Sequence, residues 1–434
     1  MSAPSSLSST LSPSGSSSAL PGKRRLAMLR ALLREALDWQ PAPTRTTFDP
    51  AHLNGHQGRI EFLRDRNGVA HIYADVEADL YRVVGYLQGR ERLVTIEALR
   101  HLASGRLAEF LLNVRIPEQV DRFGGFRVSQ IDGFLRPLGF EGEAERDYAN
   151  LPAEARACLD AFAAGMNAAL TSFNGVYPAE FLLIGDVRPW HGRDCLLLAR
   201  ASALVIALMP LENELTFDNV RNQEGDGIAR ILYPDAPWDQ APDVSAGGGA
   251  GIPAGPIDPP SMGSNNWAVA GSRTATEKPL FCNDPHVPLL PAPTFWHHVH
   301  LECPQYRVQG GLYPGFPGMG WGHNGAIAWG VTTAFRDAWD LFRIQRVPGD
   351  ESRYCTPDGT GVIRKHREQH QSRFGKTIWL EWESCEHGIL YPDWRHHDGC
   401  DLALKVADAD GAQHFAGHRA LFAAQTVAQT QAAL

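Results

Sequence analysis

The sequence predicts an α+β chain built from two unlike halves, and three observations carry that prediction. Upstream of about residue 235, apolar residues recur at helical spacing, as in Leu93, Ile96, Leu99 and Leu102. Residues 245–263 read SAGGGAGIPAGPIDPPSMG, with six glycines and four prolines in nineteen residues, a composition that suits neither a helix nor an inner strand. From Ser264 onward apolar–polar alternation takes over, beginning with Trp267 and Val269 in SNNWAVAGSRT. The expected organisation is a leader (1–45), a mainly helical region (46–244), a spacer (245–263) and a strand-rich region (264–434).

The leader opens with a Ser- and Pro-rich stretch over 1–22, expected to be disordered. A basic amphipathic helix, KRRLAMLRALLREAL, follows, and its apolar runs are too short for a signal-peptide core. That predicts a cytoplasmic protein, or a periplasmic one if the start codon is misassigned. In the second region Asn67-Gly68 marks the turn of a short hairpin. Helices are expected over 90–110, 158–170 and 193–209. The run LLLARASALVIALM (196–209) contains Arg200 and is too short to span a bilayer, so it reads as a buried helix. After the spacer, strands are expected over 266–270, 279–283, 295–302, 306–310, 326–333, 341–347 and 377–382, with a tight turn at Asn324-Gly325. The basic run RKHREQHQSR (364–373) reads as a solvated hairpin, and the closing AGHRALFAAQTVAQTQAAL as helical.

Composition narrows the function. A chain of 434 residues with 44% hydrophobic content can bury a large core. A net charge of −9 and a pI near 6.0 argue against a nucleic-acid partner, and no segment predicts a membrane partner. Seven cysteines without paired spacing indicate neither a disulfide framework nor a zinc site. His298 and His300 share a strand face, a weak metal signal that is set aside. The glycines of GGLYPGFPGMGWG do not open a helix after a strand, which argues against a dinucleotide loop.

Ser264 stands where the spacer ends and a strand begins. Exposed, irregular chain is where cleavage is easiest. A cut between Gly263 and Ser264 would leave a serine bearing both a hydroxyl and a free α-amine. That amine titrates near pH 8 and can serve as base to its own side chain. By itself, a serine after a glycine-rich spacer reads as an ordinary strand-start residue.

The segments around it decide between the two. SNNWAVAG from Ser264, Asn283-Asp284-Pro285-His286, and GFPGMGWGHNGAIAWGVTT from Gly315 to Thr333 resemble, in order and spacing, the penicillin acylase family of N-terminal-nucleophile amidohydrolases. Upstream, RDRNGVAHIYA (64–74), GYLQGRERLVTIEALRHLASGRLAEFL (85–111) and PAEFLLIGDVRPW (178–190) resemble that family's smaller chain. The resemblance runs from about residue 58 to at least 342. It implies a four-layer αββα sandwich and hydrolysis of the linear amide of an N-acylated small molecule: a β-lactam side chain, an acyl-homoserine lactone or a similar compound. Self-cleavage at Gly263-Ser264 is implied too, with the small and large chains staying associated.

Residue by residue, the resemblance makes Ser264 the nucleophile and its α-amine the base. The Thr333 backbone N–H becomes an oxyanion donor, and His286 a residue supporting the nucleophile's geometry. Val287 and Trp321 fall where the family lines its acyl pocket. Glu214, Asp337, Trp339 (through its carbonyl) and Asp340 match the ligands of a structural calcium, for which hard oxygen donors are suited.

One departure stands against these matches. Only 171 residues run from Ser264 to Leu434, whereas the family's larger chain is several times longer and supplies its second oxyanion donor, an asparagine, from a later segment. Losing one such donor costs on the order of a hundred- to thousand-fold in rate. The expectation is therefore a C-terminally truncated chain with little amidase activity as written. The alternative is an unprocessed family member acting as a binding or accessory protein.

Overall fold

The hairpin at Asn67-Gly68 opens the first sheet. Strands β1 (Ile60–Arg64) and β2 (Ala70–Ala74) pair antiparallel, and Gly68 takes the turn at φ +80°, a conformation that favours glycine. The computed structural model describes residues 53–116, 125–182, 184–185, 187–232, 263–286, 295–332, 338–395, 399–407 and 411–433. The leader and residues 233–262 of the helical region and spacer lie outside them.

Among the described residues β2 is followed by helices α1 (Glu77–Glu91), α2 (Leu93–Ala103), α3 (Leu107–Phe110), α4 (Val128–Leu135), α5 (Phe140–Asn150) and α6 (Ala153–Ser172). The helix expected over 90–110 is thus three pieces. The chain leaves helical geometry at Arg92 (φ −132°, ψ 11°) and again at Gly105 (φ +59°). Gly105 is set by packing, since a Cβ there would come within 2.4 Å of the Arg136 backbone. Leu93 and Ile96 are buried as the periodicity requires, with Leu99 and Leu102 packed against the same core. The helix expected over 193–209 extends as α7 (Gly192–Leu232), interrupted at Gly225 (φ 79°, ψ 167°). No helix among the described residues is long and apolar enough to cross a membrane.

After the spacer come β3 (Gly263–Val269), β4 (Leu280–His286), β5 (His297–Cys303), β6 (Tyr306–Tyr313), β7 (Phe316–His323) and β8 (Ala328–Trp329). A second run holds β9 (Trp339–Ile344), β10 (Arg346–Val347), β11 (Asp350–Thr356), β12 (Gly359–Val362), β13 (Arg364–Gln371), β14 (Thr377–Cys385), β15 (Gly388–Arg395) and β16 (Asp401–Val406). Helices α8 (Gly411–Ala423) and α9 (Val427–Ala433) close the chain. The basic run forms β13 of a hairpin, as expected, with only His370 of the strand buried. The strand expected over 326–333 is described only at Ala328–Trp329, and the one over 341–347 is divided between β9 and β10.

Four sheets result. Their orders are β1-β2-β5-β6-β7-β8, β13-β14-β15-β16-β9, β10-β11-β12, and the separate pair β3-β4. In the largest sheet β2 runs parallel to β5, with Ile72 opposite Leu301. The regions before and after the spacer therefore share one sheet. They share one core as well: Tyr81 of α1 meets Phe415 of α8 edge-on at 5.9 Å over Ala70, Ile72, Val299, Leu301, Leu312 and Phe316. The architecture is α+β.

Two close approaches depend on glycine. On the facing helices α1 and α6, a Cβ at Gly85 would stand 2.1 Å from the Phe162 carbonyl oxygen, and one at Gly165 only 1.9 Å from that of Arg82. The stretch FPGMGWGH, which is not among the expected strands, forms β7. A Cβ at Gly310 would lie 2.0 Å from the Trp321 carbonyl oxygen, so the β6–β7 approach needs the bare backbone.

Candidate active site

Ser264 is the second residue of β3 and pairs with Pro285 of β4, while Gly263 pairs with His286. Alternation along the two strands sorts the ribbon into faces. Ser264 and Asn266 share one face with Asn283 and Pro285. Asn265 and Trp267 share the other with Cys282, Asp284 and His286.

On the Ser264 face, the Asn283 side chain is the junction. Its Nδ2 donates to the carbonyl of Asn265 at 3.0 Å and to that of Val331 at 3.0 Å, and its Oδ1 accepts from the Val331 N–H at 3.2 Å. The partners fix the amide's orientation, because an N–H must meet the oxygen and carbonyls must meet the nitrogen. The chain just beyond β8 is thereby bonded to the strand that carries Ser264. Thr333, two residues past Val331, and Val287, next after His286, lie outside the described residues.

On the opposite face, His286 Nε2 lies 2.9 Å from Asp284 Oδ2 and 3.2 Å from Asn265 Nδ2, which itself donates to Asp284 Oδ2 at 3.2 Å. The hydrogen bond from His286, then that from Asn265, holds the Asp284 carboxyl below the usual carboxylate range. The pairing directs the His286 ring away from the Ser264 face, so its backbone, opposite Gly263, is what adjoins Ser264. All three residues of this cluster are exposed.

Trp321 sits half-buried on β7. Its ring covers Gly311 and meets His298 at 5.2 Å and Trp296 at 6.2 Å, both edge-on. The next residue, Gly322, pairs with Trp329 of β8, two residues before Val331. Trp321 therefore stands one strand away from the segment Asn283 holds. His298 and His300 share their face with His71, whose ring is 5.1 Å from that of His300. Burial holds both His298 and His300 below the usual imidazole range.

Of the four expected calcium ligands, Asp337 and the Glu214 side chain lie outside the described residues. Trp339 and Asp340 open β9. Trp339 buries its ring, stacked 6.4 Å from Phe134, while Asp340 is exposed opposite Lys405. No group of three or more metal-ligating side chains occurs among the described residues. The chemistry of the expected set, three carboxylates and a carbonyl, fits calcium.

The penicillin amidase family model matches residues 59–434. The chain belongs to the penicillin amidase family. Relatives of this penicillin amidase family member include penicillin acylase 2 proenzyme of Pseudomonas sp. (strain SE83), 32% identical over 318 residues, 68% of this chain and 38% of the relative. The acyl-homoserine lactone acylase QuiP of Pseudomonas aeruginosa is 28% identical over 343 residues, 73% of this chain and 38% of the relative. Each match thus takes in well under half of the relative's length. Among solved structures, thermostable penicillin G acylase from Alcaligenes faecalis, in its tetragonal form, aligns with 45% of this chain and 100% of that one, at 22% identity and a TM-score of 0.32.

Asn283, Gly330, Asn265 and Asp284 took no role in the sequence reading, although two of them stand in the motif Asn283-Asp284-Pro285-His286. The available signal was strand alternation, which assigns Asn283 to the Ser264 face once the register of β3 against β4 is known.

Proposed function

We propose that this chain carries the nucleophile of an amidohydrolase that cleaves the linear amide of an N-acylated small molecule, such as a β-lactam side chain or an acyl-homoserine lactone. The observation that carries the reading, beside family membership, is the position of Ser264. It is the second residue of a strand that follows a glycine- and proline-rich spacer, on the face where the Val331 backbone is bonded.

In the first step the Ser264 Oγ attacks the Gly263 carbonyl. The peptide C–N bond breaks as the acyl group moves to oxygen, and water then hydrolyses the ester, leaving Gly263 as a carboxylate and Ser264 with a free amine. In turnover that amine takes the hydroxyl proton as Oγ attacks the substrate carbonyl. The Thr333 N–H stabilises the oxyanion. The proton passes to the leaving amine as the C–N bond breaks, and water releases the acid from the acyl-serine. The same reading gives Trp321 and Val287 to the acyl pocket, His286 to the support of Ser264, and a structural calcium to Glu214, Asp337, Trp339 and Asp340. The ion would contribute stability and no step of the chemistry.

Mass spectrometry tests the nucleophile. For the intact, full-length form the expected result is two chains, the larger beginning SNNW, accompanied by hydrolysis of a chromogenic phenylacetyl or fatty-acyl anilide. Ser264→Ala should stop both, and Ser264→Cys should retain part of the self-cleavage, since a thiol also attacks the preceding carbonyl. Amide hydrolysis by a chain that stays in one piece refutes the assignment.

A further inference from the structure

Asn283 is half-buried and makes three hydrogen bonds through one amide, all to backbone atoms. One reaches Asn265, the residue after Ser264, and two reach Val331. The bonds join the strand of Ser264 to a chain segment that lies beyond β4–β8 in sequence. Gly330, beside Val331, is shaped to the same contact. A Cβ there would lie 2.6 Å from both Cβ and Cγ of Asn283 and 2.7 Å from its Oδ1. These are atoms near the root of the side chain, which cannot swing clear. Asn283 and Gly330 thus form a lock: the amide bonds to the segment only because residue 330 carries no side chain.

We propose that Asn283 is a positioning residue for the amide hydrolysis assigned to Ser264, holding the segment that leads to Thr333 at a set distance from the nucleophile. The inference rests on that assignment. The amide faces the side of the ribbon occupied by the Ser264 side chain, and it grips the segment on both its N–H and its carbonyl, so neither shift nor rotation of Val331 is free. An oxyanion donor acts on the transition state far more than on the bound substrate, so its misplacement lowers kcat and leaves KM nearly unchanged. A displacement of about 1 Å is worth roughly a hundred-fold.

The test, made in the intact, full-length form, compares Asn283→Ala, Gly330→Ala and the double variant with Ser264→Ala, reading self-cleavage by mass, anilide turnover and melting temperature. Asn283→Ala should lower kcat roughly tenfold to a hundredfold with KM within about threefold. Gly330→Ala should do the same by forcing Asn283 aside. The double variant should be little worse than Gly330→Ala alone, because the amide's bonds are already lost there, while the Cβ at 283 still stands 2.6 Å from the new one. Hydrogen exchange at the Val331 amide should quicken in Asn283→Ala. If kcat of the folded variants equals that of the parent chain while Ser264→Ala is inactive, the positioning role is overturned and the nucleophile stands. A lowered melting temperature with unchanged kcat overturns it as well, because that is a structural effect alone. If the parent chain behaves like Ser264→Ala in both cleavage and turnover, the nucleophile assignment falls and this inference with it.

Discussion

At the residue scale, buried histidines make the fold sensitive to acid. His418 of α8 is enclosed by Phe316 at 5.5 Å, Tyr313 at 6.5 Å and His414 at 4.8 Å, and its Nδ1 has no hydrogen-bond partner among the described residues. Burial, reinforced by His414, pushes its pKa down to about 3. His101 of α2 stacks on Phe110 at 4.6 Å and donates from Nδ1 to the Glu97 carbonyl at 2.8 Å. Burial first, then the nearby Arg188, lowers it to about 3 as well. Both imidazoles stay neutral in the folded chain, whereas in the unfolded chain they take up protons near pH 6.5. Below that pH the unfolded state binds more protons, so stability falls progressively from about pH 6.5 towards 3. The urea midpoint is expected to drop between pH 7 and pH 4. His418→Leu, which places an apolar side chain in an apolar site, should make that drop shallower. Parallel pH curves for the variant and the parent chain would show that His418 does not set the sensitivity.

At the element scale, the packing of α1 on α6 reverses a propensity. Alanine is preferred over glycine inside an isolated helix by about 1 kcal/mol. At Gly85 and Gly165 the added Cβ would meet a carbonyl of the facing helix at 2.1 and 1.9 Å, and backbone cannot swing aside as a side chain does. Gly85→Ala and Gly165→Ala should each destabilise by about 1–3 kcal/mol or more, seen as a lower melting temperature. A rise would mean that the two helices separate at little cost. The same logic governs Gly105, whose positive φ and contact with the Arg136 backbone end the helical run that the periodicity had extended to residue 110.

At the scale of the whole molecule, the regions on either side of the spacer are held together by the β2–β5 pairing and a common core. Under the proposed function a calcium ion adds a further tie, drawing Glu214 from the first region and Asp337, Trp339 and Asp340 from the second. An ion bound only by the folded state stabilises it by mass action. Chelation is expected to lower the melting temperature of the parent chain, and Asp340→Ala should abolish that response. Equal melting curves with and without chelator would leave Asp340 an exposed carboxylate on β9 and nothing more.

The sequence by itself determined the α+β class, the hairpin at Asn67-Gly68, the cores of the main helices, and the start of a strand at Ser264. It also determined the family, which the family match over residues 59–434 bears out. These features are written in short windows: a helical period of 3.6, a strand period of 2, and turn residues with special backbone freedom. Tertiary structure alone decided the rest. It broke the helix at Arg92 and Gly105, turned the glycine-rich stretch 316–323 into β7, and joined β2 to β5 across more than 200 residues of chain. It also set the His286 ring and the Ser264 side chain on opposite faces and made Asn283 the link to Val331. The physical reason is common to all of these. Register and close approach depend on which distant backbone arrives opposite a residue, and a one-residue change of register reverses every face.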